Sequence, residues 1–372
     1  MALEKEAQYS LVQLMDTGIP QPMDANDERL LYDGFIKETN MPKKTASHRP
    51  LRAKLIFNAI AGQSDESPRQ LADILTEMQN CNILPEVYMV HPNSQVEPVV
   101  RSAIKGGINL IVVAGGDGTI DSVMGVMIGS SATLGIIPTG TRNNLAFNLG
   151  IPDTIPGAVA LLREGRRLKI DVGSVRSGHT RRWFLEDATL GLLSDIYPFA
   201  DSVQHGDLTQ IGNLLSTVVS STPSQLRMIL EGRKRVDMSA YMVLIANMPY
   251  IGPRFQISPD VSWNDNLLDV FVFSDMSKLD LISYAVQSTG GAVEDARIKH
   301  YRVKRLTIRS NPPMPVLADG MPLDEGSVTA QIHSRALAVM GGAINTAMGE
   351  QSQHHGHKLQ KKGFVNNEGY QS

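Results

Sequence analysis

The run Gly115-Gly116-Asp117-Gly118-Thr119 sets three glycines around one carboxylate and one hydroxyl. Glycine removes the Cβ where a backbone has to turn or come close to a ligand. If a helix follows, its N-terminal N–H groups form a seat for phosphate, and Thr119 adds a hydroxyl donor. Asp117 would repel a bare phosphate. Its charge makes sense beside a cation, or in orienting an attacking hydroxyl. The plainer alternative is a tight turn in which Asp117 caps the helix. A second run, Pro138-Thr139-Gly140-Thr141-Arg142-Asn143-Asn144, is built alike. Asn143 or Asn144 can cap a helix and reach a ligand; Arg142 can meet phosphate or stay in water. Neither run ends in the Gly-Lys-[Ser/Thr] of a Walker A loop, and neither has G-x-G-x-x-G spacing. A P-loop ATPase and an ordinary dehydrogenase both lose ground.

Both runs need strand-to-helix junctions to work. Ala53–Asn58, Leu84–Val90, Leu110–Ala114 and Leu134–Ile137 are apolar stretches of strand length. Pro68–Asn80, Val96–Ile104 and Asp121–Met127 have helical spacing, and a further helix starts near Asn143. The alternation predicts a parallel sheet covered on both faces, with the two glycine turns on one edge. After about Leu168, apolar and polar residues alternate and β-branched side chains accumulate, which predicts a mostly antiparallel, sandwich- or barrel-like region. Helical inserts are expected at 208–229, broken at Pro223, and at 279–288. The expected organisation is an extension at 1–50, an α/β nucleotide-binding domain at 51–168, a β-rich sandwich-like domain at 169–343 and a flexible tail at 344–372. The apolar stretch Leu337–Ala343 fits against either domain. His354, His355 and His357 could bind metal, but a disordered tail is the simpler reading.

Composition narrows the classes. The chain has 372 residues, 42% hydrophobic and 20% charged, a globular mix. A formal net charge of −3 is the wrong sign for a dedicated nucleic-acid binder. The single cysteine, Cys81, excludes a disulfide framework or a thiolate-rich metal site. The first 50 residues do not read as a signal peptide. No apolar stretch approaches the ~20 residues of a spanning helix. A soluble, cytoplasmic protein that touches a bilayer transiently is expected.

With these residues in order, the chain resembles the diacylglycerol kinase catalytic domain superfamily, which includes sphingosine kinases and bacterial soluble lipid kinases and, more distantly, NAD kinases. Gly115–Thr119 matches its Gly-Gly-Asp-Gly-Thr loop, and Pro138–Ala146 its Pro-x-Gly-Thr-x-Asn-Asp-x-Ala block with one departure. Its opening Asn-Pro-x-Ser-Gly is met by Asn58-Ala59-Ile60-Ala61-Gly62. Ile170–Gly173, Phe184–Gly191, the stretch from Asn264 and Ala318-Asp319-Gly320 fall where the family has its later motifs. The resemblance implies transfer of the ATP γ-phosphoryl group to a lipid hydroxyl with Mg²⁺. It implies that Asn58, Gly115, Gly116, Gly118, Thr119, Gly140, Thr141, Asn143 and Asn144 shape the ATP site. Asp117 would act near phosphates and metal, and Asp319 at the reaction centre. Asp265 resembles a structural-metal aspartate, a turn carboxylate being the alternative.

Two departures bear on catalysis. Asn144 stands where many members have Asp. Met321 stands where many have the Glu proposed as general base, and a thioether cannot take the hydroxyl proton. Asp319, Asp324, Glu325 or Glu186, which replaces the family's usual Asn, are the candidate substitutes. The alternative is a nucleotide- or lipid-binding protein of the same fold that has lost catalysis; a kinase for a soluble acceptor is a third reading. Basic residues gather around the domain junction, among them Arg176, Arg181 and Arg182, and again from Arg297 to Arg309. They suit anionic headgroups or simply a solvated face. The expected partners are a lipid substrate and, transiently, a membrane surface, without nucleic acid; a homodimer is compatible.

Overall fold

A computed structural model describes residues 49–59, 67–141, 143–195, 209, 211–251, 255–274, 276–277, 280–281, 295 and 297–342. The expectations for residues 1–48, Gly62, Arg142, most of 279–288 and the tail with its histidines lie outside them. The chain divides after Pro50 into two units. The architecture below is that of the second.

Its first part alternates strand and helix: β1 (Leu51–Asn58), α1 (Ser67–Asn80), β2 (Ile83–Val90), α2 (Val96–Lys105), β3 (Leu110–Gly115), α3 (Asp117–Met127), β4 (Thr133–Pro138), α4 (Asn144–Asn148) and α5 (Ile155–Glu164). The strands pair in parallel in the order β2-β1-β3-β4. β3 and β4 are buried at every residue, as strands covered on both faces must be. α1 packs with α5, and α2 with α3. The chain reverses direction across the sheet between β1 and β3, so a crevice opens beyond their carboxyl ends. Asn58 ends β1 and Gly115 ends β3, so both reach that crevice.

The second part is antiparallel: β5 (Arg166–Ser177), β6 (Thr180–Phe184), β7 (Asp187–Gly191), α6 (Ile211–Ser220), β8 (Ser224–Leu230), β9 (Lys234–Ala240), β10 (Met242–Ala246), β11 (Tyr250–Ile251), β12 (Phe255–Gln256), β13 (Leu268–Phe273), β14 (Ile298–Val303), β15 (Arg305–Asn311), β16 (Val316–Ala318), β17 (Met321–Leu323) and β18 (Val328–Gly341). A six-stranded sheet runs β14-β13-β10-β7-β16-β17. It packs against β5, β6, β8, β9, β15 and β18 through Phe184, Met228, Val243, Val270, Leu306 and Ala330. The result is the expected pairing of an α/β layer with a β sandwich.

Four details differ from expectation. Residues 224–230 form strand β8, not the end of a helix; Ser-Gln-Leu-Arg-Met-Ile-Leu alternates buried and exposed without a break, and the inward side chains meet the sandwich core. α3 starts at Asp117, four residues before the apolar spacing begins, because the glycine loop forms its first turn. α5 has no counterpart among the expected elements. The expected border at 168/169 falls inside β5.

β18 joins the two parts. It pairs antiparallel with β5 and β15, and Val339 pairs in parallel with Leu134 of β4. The stretch from Leu337 therefore completes the α/β sheet and contributes Leu337 and Val339 to its core. Between His333 and Leu337 the register slips, and Arg335 takes φ 51°. Asp171, fully buried on β5, pins this bulge: Oδ1 accepts the Arg335 N–H at 2.6 Å and Oδ2 the Asn266 N–H at 2.6 Å. Among the described residues no helix is long and apolar enough to cross a membrane.

Asp171→Ala removes a fully buried carboxylate and leaves two half-buried hydrogen bonds, from the Arg335 and Asn266 N–H groups, without an acceptor. It is expected to lower stability by about 2–5 kcal/mol in urea denaturation, as for a broken buried charge network; a change within the ~0.5 kcal/mol usual for surface sites would overturn the role.

Candidate active site

The two glycine loops lie side by side at the ends of neighbouring strands, Gly115 pairing with Pro138. None of their glycines needs a left-handed backbone; Gly116 sits at φ −96°. Their reason is steric. A Cβ on Gly115 would meet Thr119 Oγ1 at 2.7 Å, and a Cβ on Gly140 would meet the Gly116 Cα at 2.4 Å. So Gly115 makes room for Thr119, and Gly116 and Gly140 make room for each other. Gly118 is different: a Cβ there would meet nothing within 4 Å. It is the loop position with open space in front of it.

Side chains lock this arrangement. Asn58 Nδ2 donates to Thr119 Oγ1 at 2.9 Å, tying β1 to the start of α3. Thr119 is thereby buried in the loop. Asn143, in a left-handed conformation, closes the second loop on itself: its Oδ1 accepts the Gly140 N–H at 3.2 Å, and its Nδ2 donates to the Gly140 carbonyl at 2.6 Å. The Asn144 N–H points at Asp117 Oδ2, 3.4 Å away, so the loops meet at this carboxylate as well. Thr141 is exposed at the rim.

The sandwich supplies the opposite wall. Asn144 Nδ2 donates to Glu186 Oε2 at 3.2 Å, and both residues are buried. Glu186 precedes β7, and its backbone is held from two sides. The Asn247 N–H donates to its carbonyl at 2.8 Å, while its own N–H donates to Asp319 Oδ1 at 3.0 Å. Asp319 and Gly320 form the two-residue turn of the β16–β17 hairpin, both at positive φ, as a type I′ turn requires.

Asp319 therefore has a different task from the one expected at the reaction centre. Its two oxygens accept three backbone N–H groups, from Leu185 at 2.7 Å and from Glu186 and Asp187 at 3.0 Å each. It is a positioning residue that fixes where Glu186 stands. Asp265 is expected to act away from the reaction centre. It pairs with Arg302 and accepts the Leu267 N–H at 3.0 Å, the role of a turn carboxylate. Of the other acids proposed to replace the missing Glu, Asp324 holds the Gly178–Thr180 turn through the His179 N–H and the Thr180 hydroxyl. Met321 itself is 42% exposed. Glu186 is the substitute that the structure sets beside Asp117. Asp187 and Asn247 join the site without having been singled out in the sequence; two adjacent acids inside the apolar run Phe184–Gly191 were the available signal.

The cluster is electrostatically crowded. Desolvation, then the Asp117, Asp319 and Asp187 carboxylates, raise Glu186 well above the ordinary Glu range, against the pull of the Asn144 hydrogen bond. Desolvation pushes Asp187 up to about 7. Desolvation and Asp187 push Asp319 up to about 8, against its three N–H donors. Such a cluster calls for protons or a cation. Among the described residues no group of three or more His, Cys, Asp or Glu is arranged to hold a metal alone. Asp117 at the loop junction offers a carboxylate of the kind Mg²⁺ takes one or two at a time, with water and substrate phosphates completing its shell.

Comparison with known proteins bears on the fold and on the general class of function. The diacylglycerol kinase catalytic domain matches residues 52–175, and the YegS C-terminal NAD kinase beta sandwich-like domain matches residues 200–341. In both of its parts the chain is therefore similar to the diacylglycerol kinase- and YegS-like soluble lipid and NAD kinases. A diacylglycerol kinase of Bacillus subtilis (strain 168) is 24% identical over 277 residues, 72% of this chain and 89% of that protein. A diacylglycerol kinase of Mycobacterium tuberculosis (strain ATCC 25618 / H37Rv) is 26% identical over 227 residues, 60% of this chain and 73% of that one. The crystal structure of a diacylglycerol kinase from Bacillus anthracis str. Sterne superposes with a TM-score of 0.63 at 20% identity, covering 79% of this chain and 97% of that chain. That likeness concerns the fold. Similarity to these proteins supports a kinase-type function in general terms.

The raised carboxylates make a pH prediction. Their folded pKa values lie above the ~4 of an unfolded carboxylate. Between about pH 4 and 8 the folded state holds more protons than the unfolded one, so stability falls as pH rises through that window. In metal-free buffer, Tm is expected to drop between about pH 5 and 8, and Glu186→Gln to make the drop shallower. Thermal melts by circular dichroism read both; equal slopes in the two proteins would overturn the assignment.

Proposed function

We propose that this protein transfers the γ-phosphoryl group of ATP to the hydroxyl of a lipid acceptor of diacylglycerol or sphingoid type. The observation that carries the reading is Glu186: a buried acid with a raised pKa, held on both sides of its backbone and aimed at the junction of the glycine loops. It stands in for the acid that is absent at Met321. A base whose proton affinity is raised takes a hydroxyl proton more readily.

In this scheme the phosphates lie over Gly118 at the N-terminus of α3, where the backbone is bare and the helix dipole favours negative charge. Asp117 would hold Mg²⁺, and Glu186 stays off the ion to take the proton. The ion would supply positive charge to the phosphates and to the crowded acids. The lipid oxygen bonds to the γ-phosphorus. The bond from that phosphorus to the β,γ-bridging oxygen breaks, and its electron pair leaves with ADP. The hydroxyl proton passes to Glu186. Asn144 orients the Glu186 carboxylate, and Asp319 fixes its backbone.

Transfer of labelled γ-phosphate from ATP into a panel of lipid alcohols tests this. The native protein is expected to label one lipid class. Asp117→Asn and Glu186→Gln are each expected to lose about 10²–10⁴-fold in kcat, the range for a positioned acid or base. Met321→Ala should stay near native. ATP binding without label in any lipid would instead favour a binding protein that has lost catalysis, and full activity in Glu186→Gln would remove the base.

Gly118→Ala separates ligand contact from folding. With no protein atom near its Cβ, the variant should keep its Tm or gain slightly, since alanine favours a helix by about 1 kcal/mol over glycine. Its ATP affinity by calorimetry should fall. Unchanged affinity would place the nucleotide elsewhere.

A further inference from the structure

On the outer face of the antiparallel strands lies a hollow of about 360 Å³ that takes no part in the site above. Three arginines on three strands line it: Arg176 on β5, Arg181 on β6 and Arg305 on β15. Ser174, Thr329 and Gln331 give it a polar floor, and His179 lies at its side. No carboxylate lines it. Arg176, Arg181 and Arg305 have no ion-pair partner among the described residues. The two acids bonded to lining residues are held by other groups. Asp324 accepts the His179 N–H and the Thr180 hydroxyl, and Glu231, whose N–H meets the Arg305 carbonyl, accepts the Lys304 N–H.

The register makes this unfavourable for the protein alone. Arg176 and Arg181 are direct cross-strand partners, and like charges placed directly opposite destabilise a sheet. Arg305 faces Gln331, which in turn faces Ser174, so the third guanidinium belongs to the same patch. One of the three is also held in position. The Arg181 guanidinium lies 4.9 Å over the Trp183 ring, which meets His333 edge-on at 4.8 Å; His333 is tied to Ser174 Oγ at 2.9 Å. Stacking of this kind orients the planar fork and lowers the entropy lost when it binds.

Forked, unpaired guanidiniums around a polar floor match the tetrahedral oxygens of one chemical group. We propose that this hollow binds a phosphate group, with Arg176, Arg181 and Arg305 as its donors, at a second site separate from the glycine loops. Each guanidinium can give paired N–H bonds to a phosphate, and the bound charge relieves the Arg176–Arg181 repulsion. The group could arrive on a lipid headgroup or as free phosphate.

The test uses the full chain at low ionic strength, where such contacts are least screened. Inorganic phosphate is titrated while tryptophan emission is read, Trp183 adjoining the hollow. In parallel, the protein is sedimented with phosphatidylcholine vesicles, with and without phosphatidic acid. Phosphate is expected to bind saturably and to raise Tm. Arg176→Gln/Arg305→Gln should weaken that binding by about tenfold or more and abolish the Tm gain, while Arg176→Lys/Arg305→Lys should recover part as point charges. Sedimentation that needs phosphatidic acid and is lost in the Gln pair assigns the headgroup source. Phosphate binding with indifference to vesicles assigns the soluble one. The proposal is overturned if the native protein binds neither probe, or if the Gln pair binds both as the native protein does. Phosphate held by the glycine loops would survive that pair and so counts against it.

Discussion

The structure turns on one buried carboxylate, Asp171, and the strand bulge it holds. β18 begins in the sandwich and ends beside the parallel strands, and it can serve both only if its register slips between His333 and Leu337. A slip of this kind leaves backbone N–H groups pointing inward, and Asp171 accepts one of them, from Arg335. Its other oxygen accepts from Asn266, so the turn leading into β13 is fixed by the same residue. Through this link the sandwich is set against the α/β layer at one orientation. That orientation brings Glu186 to Asn144 and Asp117.

The site pairs two kinds of rigidity. On one wall, backbone packs on backbone, and the asparagines Asn58 and Asn143 lock each loop. On the other, Asp319 and Asn247 grip the backbone around Glu186 from opposite directions. Between the walls several carboxylates lie closer than they could remain if all were ionised in a dry interior. That concentration of negative charge marks the site more clearly than any single residue. It also explains why an amide at 144 is tolerated: Asn144 can donate to Glu186, which an aspartate there could do only when protonated.

Much of this was legible in the sequence where the signal was local. The strands β1, β3 and β4 are short apolar runs that end in glycine turns, and those turns drew attention through residue type and spacing alone. The α/β layer and the β-rich layer followed from a change of period. What could not be read depended on contacts distant in the chain. Asp319 looks like a reactive acid until Leu185, Glu186 and Asp187 are seen to donate to it. Asp265 reads either as a structural-metal ligand or as a turn carboxylate, and its pairing with Arg302 could not be read from spacing. The alternation in β8 was present, but its apolar residues also suit a helix face, and only the sandwich core decides between them. The loop glycines read as places for a turn and for close approach to a ligand; none has a left-handed φ, and Gly115, Gly116 and Gly140 make room for protein atoms instead.

The contact between Gly116 and Gly140 has a consequence for how this chain can change. The reason for glycine at 140 lies in the other loop, so the two positions constrain each other. Drift at either one would push the loops apart, so a compensating change would have to act on both strands' ends at once. The shared seam therefore ties the evolutionary fate of the first loop to that of the second. The bare space before Gly118 carries no such tie, and there only a ligand would hold the residue constant.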